Sequence, residues 1–183
     1  ISTIPIIDDN DFEDSKRGFI GRSNSEDTPD HIISKRFDFL IGEAPKTVNS
    51  SLWRQAKLNN EYGLFQVSDS IYQVRGYDVA NMSIIESKNG IIIIDPLTAA
   101  TPARQALELY YQYRPKKPVL AVIYSHSHVD HFGGVKGVVN EEDVKTGKVK
   151  IIAPEGFMEE AISENIFAGN AMSRRATYMY GLN

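Results

Sequence analysis

The residues best equipped for chemistry are His126, His128, Asp130 and His131, which hold three of the chain's four histidines. In an extended segment, residues two apart point to the same side, roughly 7 Å apart. His126 and His128 are therefore expected to converge on one metal ion, at zinc–nitrogen distances of about 2.0–2.1 Å. Asp130 and His131 follow as the chain turns and face a second metal beside the first. Gly133 and Gly134 allow the tight backbone path needed just after that turn. The chain has no cysteine, which excludes disulfides, thiolate zinc sites and thiol nucleophiles. A metal must then be held by imidazole and carboxylate, a donor set suited to Zn, Mn or Fe. Asp130 is both a candidate ligand and the group placed to orient an attacking hydroxide.

These residues need a scaffold that brings them to a rim. Val119 to Tyr124 is an apolar strand running directly into the cluster, and ligand sites of open α/β sheets gather beyond the carboxyl ends of strands. The run Ile91 to Ile94 is apolar on both faces, as expected of a central strand covered on two sides. Asp95 ends that strand, so it should reach the same rim and take the free N–H of a ligating imidazole. Upstream, Leu64–Val67 with Ile71–Val74, and Met82–Glu86 with Ile91–Asp95, read as hairpins. Asn89-Gly90 is expected to form a type I′ turn in the second. Thr101 is expected to cap a helix with Pro102 at its first position. A strand at Val149–Ala153 and a helix bearing Phe157, Ala161, Ile162 and Ile166, with Gly169 near its end, complete an α/β arrangement.

Composition narrows the function classes. A formal charge of −4 over 183 residues provides no basic field for a phosphate backbone, so no nucleic-acid partner is expected. Hydrophobic content of 42% suits a globular core, and no membrane span is expected. Residues 1–60 read as a polar extension that wraps a core, with a loop at Ser23–Asp30, an ordinary surface histidine at His31, and a short helix capped by Ser50 or Ser51. Residues 61–183 read as the first part of the domain that carries the cluster.

The segment Ser125-His126-Ser127-His128-Val129-Asp130-His131-Phe132-Gly133-Gly134 resembles the His-x-His-x-Asp-His signature of the metallo-β-lactamase superfamily. More narrowly, the chain resembles that superfamily's alkyl sulfatases. The likeness includes residues 11–20, Asn49–Gln55 (NSSLWRQ), Ile71–Gly76 (IYQVRG), Asp95–Thr98, Ile152–Phe157 and Ala168–Tyr180 (AGNAMSRRATYMY). The resemblance implies a metallo-β-lactamase-like αββα sandwich, of which this chain is the N-terminal portion. It implies two Zn2+ ions bridged by water or hydroxide, one on His126 and His128 and the other on Asp130 and His131. It also implies that the remaining ligands, two glutamates and a histidine, lie beyond residue 183. A homodimer of the full-length protein and a periplasmic or secreted location are further expectations of this resemblance.

The corresponding reaction is hydrolysis of an alkyl sulfate ester to alcohol and sulfate by a metal-bound hydroxide. A sulfate ester carries negative charge, for which Arg174 and Arg175 offer planar donor forks, with Asn170 and Tyr178 as further sulfate contacts. Phe132, Phe157, Phe167, Met172 and Met179 are available for core or for an alkyl channel. The alternatives are another hydrolase of the same fold, acting on a lactam or thioester, or a truncated non-catalytic relative that serves as a binding module.

Overall fold

The computed structural model describes residues 9–23 and 37–181; His31 and most of the expected Ser23–Asp30 loop lie outside them. Seven strands form one sheet in chain order: β1 (Phe19–Gly21), β2 (Gly63–Ser68), β3 (Ile71–Arg75), β4 (Met82–Glu86), β5 (Ile91–Ile94), β6 (Val119–Ile123) and β7 (Lys150–Ile152). β1 to β5 pair antiparallel, while β5–β6 and β6–β7 are parallel. The change of sense has a simple cause. Short loops join antiparallel neighbours, but a parallel pair needs a crossover, and the helix α3 (Ala100–Tyr113) supplies it between β5 and β6.

The extension reaches the sheet rather than standing apart. Its helix α1 (Asn10–Lys16) leads into β1, which pairs with the edge of β2. A second helix, α2 (Ser50–Asn59), is capped by Asn49, whose side chain accepts from the Ser51 N–H at 2.9 Å. Ser50 and Ser51 lie inside the helix, not at its cap.

Alternation along β3 to β5 sets the core. Tyr72, Val74, Met82, Ile84, Ile91 and Ile93 point to one face and are buried against Ala103, Ala106, Leu109 and Tyr110 of α3. Tyr72 meets Tyr110 edge-on, with ring centroids 5.6 Å apart. Ile92 and Ile94 face the other way and are half-buried, so the described residues cover only one side of the isoleucine strand fully.

Three local expectations differ from the structure, the first because of a contact from farther along the chain. The β4–β5 loop is not a type I′ turn, because neither Asn89 nor Gly90 has a positive φ. Gly90 is required by proximity instead: a Cβ there would sit 2.5 Å from Pro118 O and from Leu120 Cγ. α3 begins at Ala100 with Ala99 as its uncapped N-terminal residue. Thr101 and Pro102 occupy its first turn, where a missing N–H costs no helical bond. Finally, Gly169 does not end a helix. The helix α5 (Phe157–Ile162) passes through a π-turn at Ser163–Phe167, and Gly169 opens the next helix, α6 (Gly169–Tyr180). Before these, the short α4 (Glu141–Lys145) leads to β7.

The two sides of the molecule differ in cover. β7 is exposed along its length, and Met158, Ile162, Ile166, Phe167 and Met179 of the last helical segment are exposed as well. Among the described residues, no helix is long and apolar enough to cross a membrane.

Candidate metal centre

The parallel register pairs Ile94 with Ile123, so the residues that follow both strands emerge side by side at the carboxyl rim. Asp95 follows Ile94, and Ser125 and His126 follow β6. After His128, a single 3-10 turn at Val129–His131, closed by the His131 N–H on His128 O at 3.0 Å, folds Asp130 and His131 back. As a result all three imidazoles meet. The ring of His126 lies 4.5 Å from that of His128 and 4.1 Å from that of His131, centroid to centroid. His126 thus packs against a member of each expected pair, His128 of the first and His131 of the second.

Asp95 organises the group. Its Oδ1 accepts the Ser125 N–H at 2.8 Å, and its Oδ2 accepts the Ser125 hydroxyl at 2.6 Å. The same Oδ2 lies 2.8 Å from His131 Nδ1. A carboxylate can only accept, so His131 Nδ1 carries the proton and its Nε2 keeps a lone pair. The Ser125 hydroxyl has given its one proton to Asp95, so its 2.9 Å contact with His126 Nδ1 is a bond donated by the imidazole. One carboxylate thereby fixes the tautomer of two histidines, directly for His131 and through Ser125 for His126. In both, Nε2 is the free donor atom that a metal requires.

The free atoms have acidic neighbours. His131 Nε2 lies 3.2 Å from Asp130 Oδ2, and His128 Nε2 lies 3.1 Å from Glu164 Oε1. Such a contact needs a proton on the ring nitrogen or a cation between nitrogen and carboxylate, and a divalent metal ion is one way to supply the latter. The donor set fits zinc in kind. It falls short in number: among the described residues, no group of three or more His, Asp or Glu is arranged to hold a metal ion, whereas even an open catalytic zinc has three protein ligands.

Behind the cluster, the chain is pressed against the strap that connects β5 to α3. A Cβ on Gly133 would lie 2.2 Å from Thr98 O, and one on Gly134 would lie 2.0 Å from Pro96 O. Neither glycine has a positive φ. Their need is close approach to the strap's carbonyls, which is what the tight backbone path after the turn consists of. Phe132 also faces inward, joining Tyr124 and Phe157 in an aromatic trio with centroids 5.1–5.9 Å apart.

The expected sulfate contacts are placed differently. Asn170, Arg174, Arg175 and Tyr178 lie on α6, all exposed, and Tyr178 is 92% accessible. The described structure does not bring them to the histidines. Phe167 and Met179 are likewise exposed, and Met172 is half-buried. Glu164, which has no place in the sequence reading of the site, reaches His128. Its spacing from the motif gave no hint of this, since the contact depends on the π-turn that carries it.

The sequence profile described as Metallo-beta-lactamase superfamily matches residues 75–178. The Alkyl/aryl-sulfatase BDS1 of Saccharomyces cerevisiae is 53% identical across 98% of this chain and 29% of its own length. A Linear primary-alkylsulfatase of a Pseudomonas species is 54% identical across 99% of this chain and 28% of its own. The solved structure of the stereoselective inverting sec-alkylsulfatase Pisa1, also from Pseudomonas, matches with a TM-score of 0.86 at 53% identity. That match covers 96% of this chain and 28% of Pisa1. The chain therefore spans less than a third of the length of these relatives, and over that span it shares the fold of the solved sec-alkylsulfatase. The chain belongs to the metallo-beta-lactamase superfamily.

Proposed function

We propose that the full-length protein hydrolyses alkyl sulfate esters to alcohol and sulfate with the help of two zinc ions. The observation that carries this reading is the Asp95 network, which leaves Nε2 of His126 and of His131 open beside Asp130. The alkyl sulfatase names of the relatives supply the substrate class. A primary and an (R)-specific secondary alkylsulfatase of Pseudomonas are 54% and 51% identical to this chain, so the reading stays at the level of alkyl sulfates.

In this reading His126, His128, Asp130 and His131 hold the metals, together with ligands beyond residue 183. Bound zinc supplies Lewis acidity that lowers the pKa of water and charge that stabilises the departing sulfate oxygen. The residues of this chain do the positioning. Asp95 holds the two imidazoles in their metal-ready tautomer, and Asp130 offers a carboxylate oxygen that can orient the attacking water. Arg174 and Arg175 are assigned to the sulfate once later segments fold over α6. Residues 1–60 act as an extension of the domain that begins at residue 61, and the active form is a homodimer.

The test is sulfate release from dodecyl sulfate by the full-length protein. Release that a chelator abolishes and added zinc restores is the expected result. Metal-dependent hydrolysis of a lactam or thioester, with no sulfate release, would overturn the reading.

A further inference from the structure

The strap from Asp95 to Ala99 is an unusual piece of backbone. Asp95 has φ +56° and Leu97 has φ +64°, so two non-glycine residues adopt the left-handed region within three positions. Such conformations are costly for residues with a Cβ and persist only where the surroundings over-determine them. Leu97 is fully buried, and its side chain belongs to the core cluster. Four main-chain bonds also hold this segment: Asp95 N–H to Ile123 O and Ala103 N–H to Ala99 O at its two ends, and Leu97 N–H to Asp95 O and Gly134 N–H to Leu97 O between them.

The middle of the strap, at Thr98, is held by a side chain, that of Asp78 in the loop between β3 and β4. Its Oδ2 accepts the Thr98 N–H at 2.9 Å, and its Oδ1 accepts the Thr98 hydroxyl at 3.1 Å. Oδ1 also accepts the Val79 N–H at 2.7 Å. That last bond alone would be an ordinary local turn. The other two are not local, and they use both oxygens on a single residue of the strap. The loop itself is pinned, since Tyr77 and Ala80 on either side of Asp78 are buried in the core. Thr98, in turn, is the residue whose carbonyl lies against Gly133.

We propose that Asp78 is a positioning residue for the metal centre, acting through Thr98. It clamps the strained strap so that Asp95 meets Ser125 and His131, and so that Gly133 and Gly134 can seat the histidine segment. This inference rests on reading the histidine cluster as a zinc site, and zinc binding tests the two separately.

The experiment measures zinc affinity of the full-length protein by competition with a chromophoric chelator, and thermal unfolding of the metal-free form. Asp78→Ala is expected to weaken zinc binding about tenfold or more, the range seen when an outer partner of a ligand is removed. Thr98→Val, which removes only the hydroxyl, is expected to weaken it less. Asp78→Asn keeps an oxygen for the Thr98 N–H and is expected to recover most of the affinity. Glu86→Ala, distant from the strap, serves as the control that lowers stability without moving zinc affinity. If Asp78→Ala does not fold, Thr98→Val decides: weaker zinc binding supports the clamp, and unchanged binding overturns it. Wild-type affinity in Asp78→Ala, or a loss no greater than the Glu86→Ala control shows, would also overturn it. A wild-type protein that binds no zinc would overturn the metal reading and the clamp together. Zinc binding without sulfate release would leave the clamp standing and reject the substrate.

Discussion

Two carboxylates stand at opposite ends of β5, and their surroundings differ in one respect. Glu86 pairs in register with Ile91 at the start of the strand, while Asp95 follows Ile94 at its end. Glu86 accepts from Lys117 Nζ at 2.9 Å, Tyr110 Oη at 3.0 Å and Arg114 Nε at 3.1 Å. Of those donors, Lys117 also reaches the Ser87 carbonyl at 2.7 Å, still in the loop between β4 and β5. Asp95 accepts from Ser125 and His131, but each of these partners passes the constraint on, to the ring of His126 and to a free Nε2. The first network closes on itself and can serve only stability. The second leaves ring nitrogens facing carboxylates, contacts that call for a proton or a bound cation between them. Both side chains are largely buried, with 12% and 13% accessibility, so burial does not separate structure from function here. The direction in which the hydrogen bonds run does.

The most severe way to break this contrast is Asp95→Asn in the full-length protein. Asparagine tolerates the left-handed backbone but cannot take protons from both Ser125 and His131 as the carboxylate does. Zinc affinity should fall by about 10–100-fold, read by chelator competition, with metal-free stability little changed. A large stability loss at full zinc affinity would make Asp95 another Glu86.

Next in size is Glu86→Ala. Breaking a fully buried ion pair costs about 3–5 kcal/mol; Arg114 and Lys117 keep partial access to water, so about 2 kcal/mol is expected here. Urea unfolding measures it, and zinc affinity should not move. A parallel drop in zinc affinity would mean that β5 transmits strain between its ends.

The smallest effect sharpens the comparison through pH. Burial would raise the Glu86 pKa, but hydrogen bonds from Lys117, Tyr110 and Arg114 outweigh it and hold the carboxyl below its ordinary range. Burial, then the bond to Glu86, push the Tyr110 hydroxyl up. A depressed folded-state pKa adds stability that is fully present above the unfolded value of about 4.3 and is lost as pH falls through the folded value. The advantage of wild type over Glu86→Gln in urea should therefore shrink below about pH 4.3. An advantage independent of pH would assign Glu86 to packing alone.

What could be read beforehand divides along the same physical line. Met82–Glu86 matches its strand residue for residue, and the apolar runs of β5 and β6 foretell their place in the sheet, because alternation and burial act along a few residues. Asp95 could be placed at the rim for the same reason. Features set by distant backbone could not. Asn89-Gly90 carries the composition of a hairpin turn, yet Pro118 and Leu120 decide its glycine. Thr101 carries the composition of a cap, yet α3 starts one residue earlier. Asp78 has nothing in its neighbourhood to announce Thr98, and Glu164 nothing to announce His128. Each depends on a contact that exists only after the sheet has assembled.

The glycines behind the histidines carry a consequence for how such a site can vary. Gly133 and Gly134 rest mainly on the carbonyl oxygens of Thr98, Pro96 and Ala99, with the Ala103 Cβ as the one side-chain atom against Gly134. A carbonyl is present whatever residue bears it. The two faces of this contact therefore have unequal freedom in evolution or in a mutant library: at positions 96, 98 and 99 the contact itself permits any side chain, whereas positions 133 and 134 admit only hydrogen. Tuning of the histidine cluster is open from the strap side and closed from its own.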